Sequence, residues 1–199
     1  MSSVISAAPP SAARFLREVT AAAHTQVEAL PHMPALADGT LTPARYAQVL
    51  ACHWAILAPW ERQHAPWLDA LATQGWPYRR RTDALGHDLA ALGASLPSAE
   101  LGEAPQAQDP AQAWGMLYVV EGSMLGGRVI ARQLRARQPA LASALDYFDL
   151  GSEDPGAWRR FQGCLDAVLP DEAARAQAAI GAAAMFGHFH HHLSLGISA

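Results

Sequence analysis

Apolar residues recur at helical spacing along nearly the whole chain. An early helix carries Phe15, Val19, Ala22 and Ala23 on one side, and a second carries apolar residues from position 46 to position 57. No segment alternates apolar and polar residues over the length of a strand, so no sheet is expected. The pattern predicts an all-α, single-domain helical bundle.

Three proline-containing pairs mark where helices begin. Thr42, Asp109 and Asp154 each precede a proline, so each is expected to cap a helix whose first residue is that proline. Further helices are predicted over residues 79 to 92, 111 to 137, 155 to 168 and 171 to 192. Residues 1 to 12, rich in Ser, Ala and Pro, predict a loosely ordered segment before a domain that spans residues 13 to 199.

Composition and charge restrict the function. The 199 residues carry a net charge of −4, which disfavours nucleic acid and membrane surfaces as partners. Two cysteines provide no disulfide framework and match no zinc-site spacing. The chain has no secretory signal pattern and no apolar run long enough for a membrane span, so a cytoplasmic location is expected.

Three glycines interrupt the predicted helix over residues 111 to 137. Gly122, Gly126 and Gly127 together cost this helix roughly 2 to 3 kcal/mol relative to alanine. Gly122 and Gly126 are four residues apart and share a face, which opens a groove without side chains. A flat ligand can occupy such a groove, and so can a closely packed helix.

His24 and Glu28 form the second candidate site, one helical turn apart in the first predicted helix. A carboxylate at that spacing can hydrogen-bond one ring nitrogen and leave the other for a metal. A single histidine suits haem iron better than zinc, which takes three or four protein ligands. A packed or solvated histidine is the alternative interpretation.

The two motifs together resemble those of the heme oxygenases. Residues 121 to 129, EGSMLGGRV, are similar to the distal-helix motif of bacterial members, especially those associated with bacteriophytochromes, and the segment around His24 is similar to the proximal-ligand segment. The resemblance covers residues 11 to 193. It implies a heme oxygenase-like fold with haem between the first helix and a kinked distal helix. The implied activity opens haem to biliverdin, CO and ferrous iron.

The resemblance also implies the partners and the site residues. O2 and an external electron donor, a reductase or a ferredoxin, would drive the reaction, and a bacteriophytochrome would accept the biliverdin. His24 would be the axial ligand and Glu28 would orient it. The remaining residues divide into a distal group for catalysis, Gly122, Ser123 and Gly126, and a group that binds haem, Arg17, Tyr118, Gly127 and Arg159.

The chain departs from the better-known animal pattern at several positions. Ser123 stands where that branch has an aspartate that organises distal water, so a relay through Ser123 and water is expected. Ala21 and Gly163 replace basic residues of the family, and Tyr118 is one position from the family's tyrosine. The partners of the propionates are therefore open at this stage.

Three other interpretations remain. A haem-binding or haem-delivery protein of the same fold would keep His24 without turnover, and a helical scaffold would bind no haem. The four histidines between positions 188 and 192 invite a metal site. Their place at a helix end near the terminus favours a surface cluster instead.

Overall fold

The computed structural model describes residues 11 to 97 and 102 to 195, and every regular element in those ranges is helical. The prediction of an all-α fold is confirmed. The α-helices are α1 (Ala12–Val19), α2 (Ala21–Glu28), α3 (Met33–Ala37), α4 (Pro43–Gln63), α5 (Ala65–Ala70), α6 (Arg81–Ala91), α7 (Pro110–Arg137), α8 (Asp146–Asp149), α9 (Ala157–Val168) and α10 (Glu172–Leu195). Two 3₁₀ segments, Leu71–Gln74 and Pro139–Leu141, follow α5 and α7.

The long helices α7 and α10 cross at two glycines. A Cβ atom on Gly115 of α7 would lie 1.8 Å from the carbonyl oxygen of Ala178, and one on Gly181 of α10 would lie 2.0 Å from that of Gln112. Only glycine permits this approach of the two backbones. The crossing fixes α7, which carries the EGSMLGG segment, against the helix that also contacts α1, α2 and α4.

Two of the three predicted caps are confirmed. The Thr42 hydroxyl accepts a hydrogen bond from Arg45 N at 3.3 Å, and Asp109 Oδ1 accepts one from Ala111 N at 2.7 Å. The third prediction is corrected, because α9 begins at Ala157 and not at the proline after Asp154. The side chain of Asp154 instead accepts from Gly156 N, 3.2 Å away, in the preceding turn.

The predicted first helix is also corrected, since it is divided at Thr20 into α1 and α2. The Thr20 hydroxyl donates to Leu16 O at 2.7 Å, and its backbone leaves the helical region (φ −102°, ψ 4°). At the N-terminus, Ser11 caps α1 and Ala12 begins it. These two residues were expected to be loosely ordered, whereas residues 1 to 10 of that predicted segment lie outside the described residues.

A buried polar network ties the distal part of α7 to the start of α6. Arg81 Nη2 lies 2.7 Å from Glu121 Oε2, and Trp76 Nε1 donates to Glu121 Oε1 at 2.9 Å. Glu61 of α4 accepts from the backbone N–H of Arg81 at 2.6 Å and from the Tyr78 hydroxyl at 2.7 Å. Glu121, the first residue of the glycine motif, thus anchors α7 rather than facing solvent.

Candidate haem site on α2 and α7

His24 lies on α2 with its carboxylate partner in place. Its Nδ1 atom is 3.2 Å from Glu28 Oε2, and the imidazole meets the ring of Phe186 edge-on at 5.8 Å between centroids. The side chain is 57% exposed. A hydrogen bond from Nδ1–H to Glu28 would keep the lone pair on Nε2 for an external ligand.

The three glycines of the EGSMLGG segment in α7 divide into an open pair and a packed one. Among residues 11 to 97 and 102 to 195, a Cβ on Gly126 would meet nothing within 4 Å, and one on Gly122 would meet only the Trp158 ring at 3.7 Å. By contrast, a Cβ on Gly127 would lie 3.1 Å from the carbonyl oxygen of Phe148 in α8. Close helix packing therefore explains Gly127 but not Gly122 and Gly126, and the predicted contact of Gly127 with haem stays a prediction.

Apolar side chains near these motifs are exposed. Val19 at the end of α1 is 51% exposed, and Leu125 and Val129 of α7 are 42% and 47% exposed. Helix α2 has no buried residue. An amphipathic helix in a bundle normally buries one face, so α2 and this part of α7 expose surface suited to an apolar ligand.

Ser123 faces a different neighbour from the two open glycines. Its hydroxyl donates to Val120 O at 2.8 Å. Burial raises the pKa of Tyr147 in α8, and a hydrogen bond with Ser123 partly opposes that rise. Tyr147 therefore remains a neutral hydroxyl next to Ser123.

The candidate propionate partners are partly brought together. Tyr118 is buried, which raises the pKa of its hydroxyl, while the charge of Arg17 acts in the opposite direction. Its ring packs against Trp158 at 5.9 Å between centroids. Arg159, the next residue along α9, is exposed and forms no ion pair with the described residues. Tyr118 contacts Trp158 and is influenced by Arg17, but no contact joins Arg159 to Tyr118.

The histidines near the C-terminus form a close pair rather than a ligand set. The His188 and His192 rings are 4.5 Å apart, and His188 Nε2 lies 3.3 Å from Ile56 O. Burial lowers the pKa of His188 to about 4. Within residues 11 to 97 and 102 to 195, no group of three or more His, Cys, Asp or Glu side chains has a geometry that would hold a metal ion.

Sequence reasoning missed Tyr147 and Trp158 near the site, and it expected Phe186 to face the core or the haem edge without identifying its contact with His24. Trp158 contacts Gly122 and Tyr118, Phe186 contacts His24, and Tyr147 interacts with Ser123. Apolar periodicity identified Phe186 as inward-facing, but the contacts themselves join elements distant in sequence. No local pattern in this chain signals them.

The fold and these two motifs define an all-α protein with an exposed histidine–glutamate pair and an unobstructed glycine face. The model of the heme oxygenase family matches residues 11–194, and the chain belongs to that family. A heme oxygenase of Xanthomonas campestris pv. campestris is 54% identical over 158 residues, which cover 79% of this chain and 94% of that protein.

The fold has a counterpart among solved structures. A heme oxygenase from Leptospira interrogans superposes with a TM-score of 0.75 at 17% identity, over 93% of this chain and 99% of that one. At this identity the likeness concerns the fold alone. Among the described residues, none of the helices has the length and apolar character needed to cross a membrane.

Proposed function

We propose that this protein is a heme oxygenase that converts haem to biliverdin, CO and ferrous iron. The observation that carries the proposal is the His24–Glu28 pair at 3.2 Å, combined with a glycine face on which a Cβ at Gly126 would meet nothing. The exposed Val19, Leu125 and Val129 fit the apolar faces of a porphyrin. Family membership agrees with this chemistry.

On the proximal side, His24 Nε2 is the proposed iron ligand. Glu28 accepts a hydrogen bond from Nδ1–H, which fixes the tautomer and restrains rotation of the ring. A neutral imidazole donates electron density only moderately, in contrast to a thiolate. Bound haem supplies both the iron that activates O2 and the porphyrin ring that is oxidised.

On the distal side, Gly122 and Gly126 leave room for O2 and bring no acidic side chain to the reacting centre. The hydroxyl proton of Ser123 is donated to Val120 O, so the Ser123 oxygen is available as an acceptor. We propose that Ser123, with Tyr147 behind it, orients water that delivers protons. The helix is continuous through this segment, and its predicted kink stays a prediction.

Arg17, Tyr118 and Arg159 are the proposed partners of the haem propionates. Two cationic side chains and a phenol hydroxyl match carboxylates that must remain near solvent. Arg17 and Arg159 are both exposed and have no ion-pair partner among the described residues. Their charges are therefore available for a ligand.

The electrons are proposed to come from a separate reductase or ferredoxin, and the biliverdin to pass to a bacteriophytochrome. A cytoplasmic location suits the two cysteines, which are both free thiols. Adding the pigment formed by this protein to a bacteriophytochrome apoprotein tests the last step. Recovery of a red-absorbing holoprotein supports it, and an unaltered apoprotein spectrum contradicts it.

The central test is turnover of the hemin complex. Hemin is titrated into wild-type protein and the His24→Ala variant, and then ascorbate or reduced ferredoxin is added in air. Loss of the Soret band with growth of a bilin band is expected for the wild type only. A stable reduced or oxygenated complex would instead indicate a haem-binding or haem-delivery protein, and an identical hemin spectrum in His24→Ala would refute ligation by His24.

A further inference from the structure

A cavity of about 160 Å³ lies between α7 and the first turn of α9. This volume is roughly ten times what one water molecule needs. The wall contains four arginines, Arg79, Arg81, Arg128 and Arg160, and two tryptophans, Trp76 and Trp158. None of the residues proposed to bind the iron or the propionates belongs to this wall.

Three of the four arginines are already neutralised by carboxylates. Arg128 has no carboxylate partner in the part of the chain that the structure describes, where its Nη2 atom donates to the carbonyl oxygens of Gly151, at 2.5 Å, and Asp154, at 3.2 Å. The neutralised pairs are Arg79 with Glu153, Arg81 with Glu121, and Arg160 with Asp154. The cavity therefore keeps one uncompensated positive charge, and a partly buried cation without a counter-ion is costly.

Two guanidinium nitrogens at this cavity also lack partners. The Nε atoms of Arg81 and Arg128 are buried and make no hydrogen bond with the described residues. Arg81 is only 3% exposed, and its other two nitrogens are engaged by Glu121 and by Arg79 O. A buried N–H without an acceptor costs free energy comparable to a lost hydrogen bond. An oxyanion in the cavity would neutralise the excess charge of Arg128, whereas the two Nε–H groups are enclosed by protein atoms and do not face the cavity.

We propose that this cavity is a binding site for a small oxyanion, a phosphate or carboxylate group, held by Arg128. The planar guanidinium suits this ligand because its N–H groups match the spacing of carboxylate or phosphate oxygens. Glu121 and Asp154 also line the cavity, but Arg81 and Arg160 already pair with them, so neither repels the ligand with a free charge.

The site adjoins the proposed haem groove without depending on it. Trp158 and Leu125 line the cavity, and the Trp158 ring also lies against Gly122. The oxyanion can therefore come from free phosphate or from a carboxylate of the bilin product. Anion binding in this cavity needs no bound haem, so it can be measured separately from the proposed heme oxygenase activity.

The test measures anion binding to the haem-free protein. Sodium phosphate and sodium acetate are titrated at constant ionic strength, and the tryptophan fluorescence is followed, since Trp76 and Trp158 form part of the wall. We expect a saturable response that Arg128→Gln weakens roughly tenfold, because a hydrogen bond to a charged group contributes about that factor. Arg132→Gln is the matched control, one turn further along α7, exposed and outside the wall; it should change the affinity less than about twofold.

Circular dichroism checks that each variant is folded. Should Arg128→Gln fail to fold, Arg160→Gln replaces it, because Arg160 is 60% exposed, and a threefold or larger weakening is then expected. Displacement of phosphate by biliverdin but not by its dimethyl ester identifies the bilin carboxylate as the source. Displacement by neither leaves free phosphate as the ligand. The proposal is overturned if neither anion gives a saturable response, or if the cavity variant and Arg132→Gln bind equally.

Discussion

Replacement of Gly126 by alanine should stabilise the haem-free protein. A Cβ at this position would meet nothing within 4 Å, so no steric cost opposes the gain in helix propensity. Gly→Ala at a compatible site contributes about 0.4 to 1 kcal/mol to the free energy of unfolding. For a chain of this size that corresponds to a rise in Tm of roughly 1 to 4 °C.

Gly115→Ala is the matched comparison on the same helix. Its Cβ would lie 1.8 Å from Ala178 O, which forces α7 and α10 apart. Overpacking of this kind costs roughly 1 to 3 kcal/mol or more, so Tm should fall by at least about 2 °C. Both substitutions replace glycine by alanine and add one methyl group, yet the structure predicts opposite changes in the free energy of unfolding.

Thermal unfolding of the haem-free variants, followed by far-UV circular dichroism, measures both effects. Hemin titration then completes the comparison, since Gly126→Leu should weaken haem binding or turnover while the fold persists. A Tm below the wild-type value for Gly126→Ala would refute the open glycine face. Unchanged turnover in Gly126→Leu would refute its part in the distal pocket.

Three further predictions concern ionisable groups. Burial raises the pKa of Asp88 from 3.8 to about 6, so between these pH values the folded protein holds a proton that the unfolded chain has released. The free energy of unfolding, compared with that of Asp88→Asn, should therefore fall as the pH rises from about 4 to 6. The fall should be on the order of 3 kcal/mol and level off above that range. A flat difference between urea titrations across that range would contradict this. Glu121→Leu should lower the free energy of unfolding by about 3 to 5 kcal/mol, because it leaves Arg81 buried without its carboxylate. A loss under about 1 kcal/mol in urea denaturation would argue against the ion pair. Glu28→Gln should keep hemin binding but lower the iron–histidine stretching frequency in resonance Raman spectra, since an amide oxygen accepts the hydrogen bond from Nδ1–H more weakly than a carboxylate. An unshifted band would exclude Glu28 as the orienting group.

Local signals predicted most of the secondary structure. The predicted helix over residues 111 to 137 agrees with α7 to within one residue, and the Thr42 and Asp109 caps follow from side chains that bond the adjacent backbone. The break at Thr20 was not predicted, because a threonine hydroxyl bonding back to Leu16 O is compatible with a continuing helix. The short helices α3, α5 and α8 were missed because a single turn carries too few apolar positions to show a period.

The candidate site was predictable where one helix supplies both partners. The four-residue spacing of His24 and Glu28 is a local relation, and the structure gives it a 3.2 Å contact. Two other contacts join elements that are distant in sequence: Ser123 with Tyr147, and Gly122 with Trp158. Residue spacing could not predict them.

The sequence by itself determined the helical class, the major helix boundaries and the paired histidine and glycine motifs, because these depend on backbone propensity and on neighbours within one turn. Only the tertiary structure decided which glycines are open and which are packed. Gly126 and Gly127 are adjacent and chemically identical, yet one faces open space and the other meets the backbone of α8. That difference depends on which face of α7 is covered by neighbouring helices, because burial is a property of the assembled bundle.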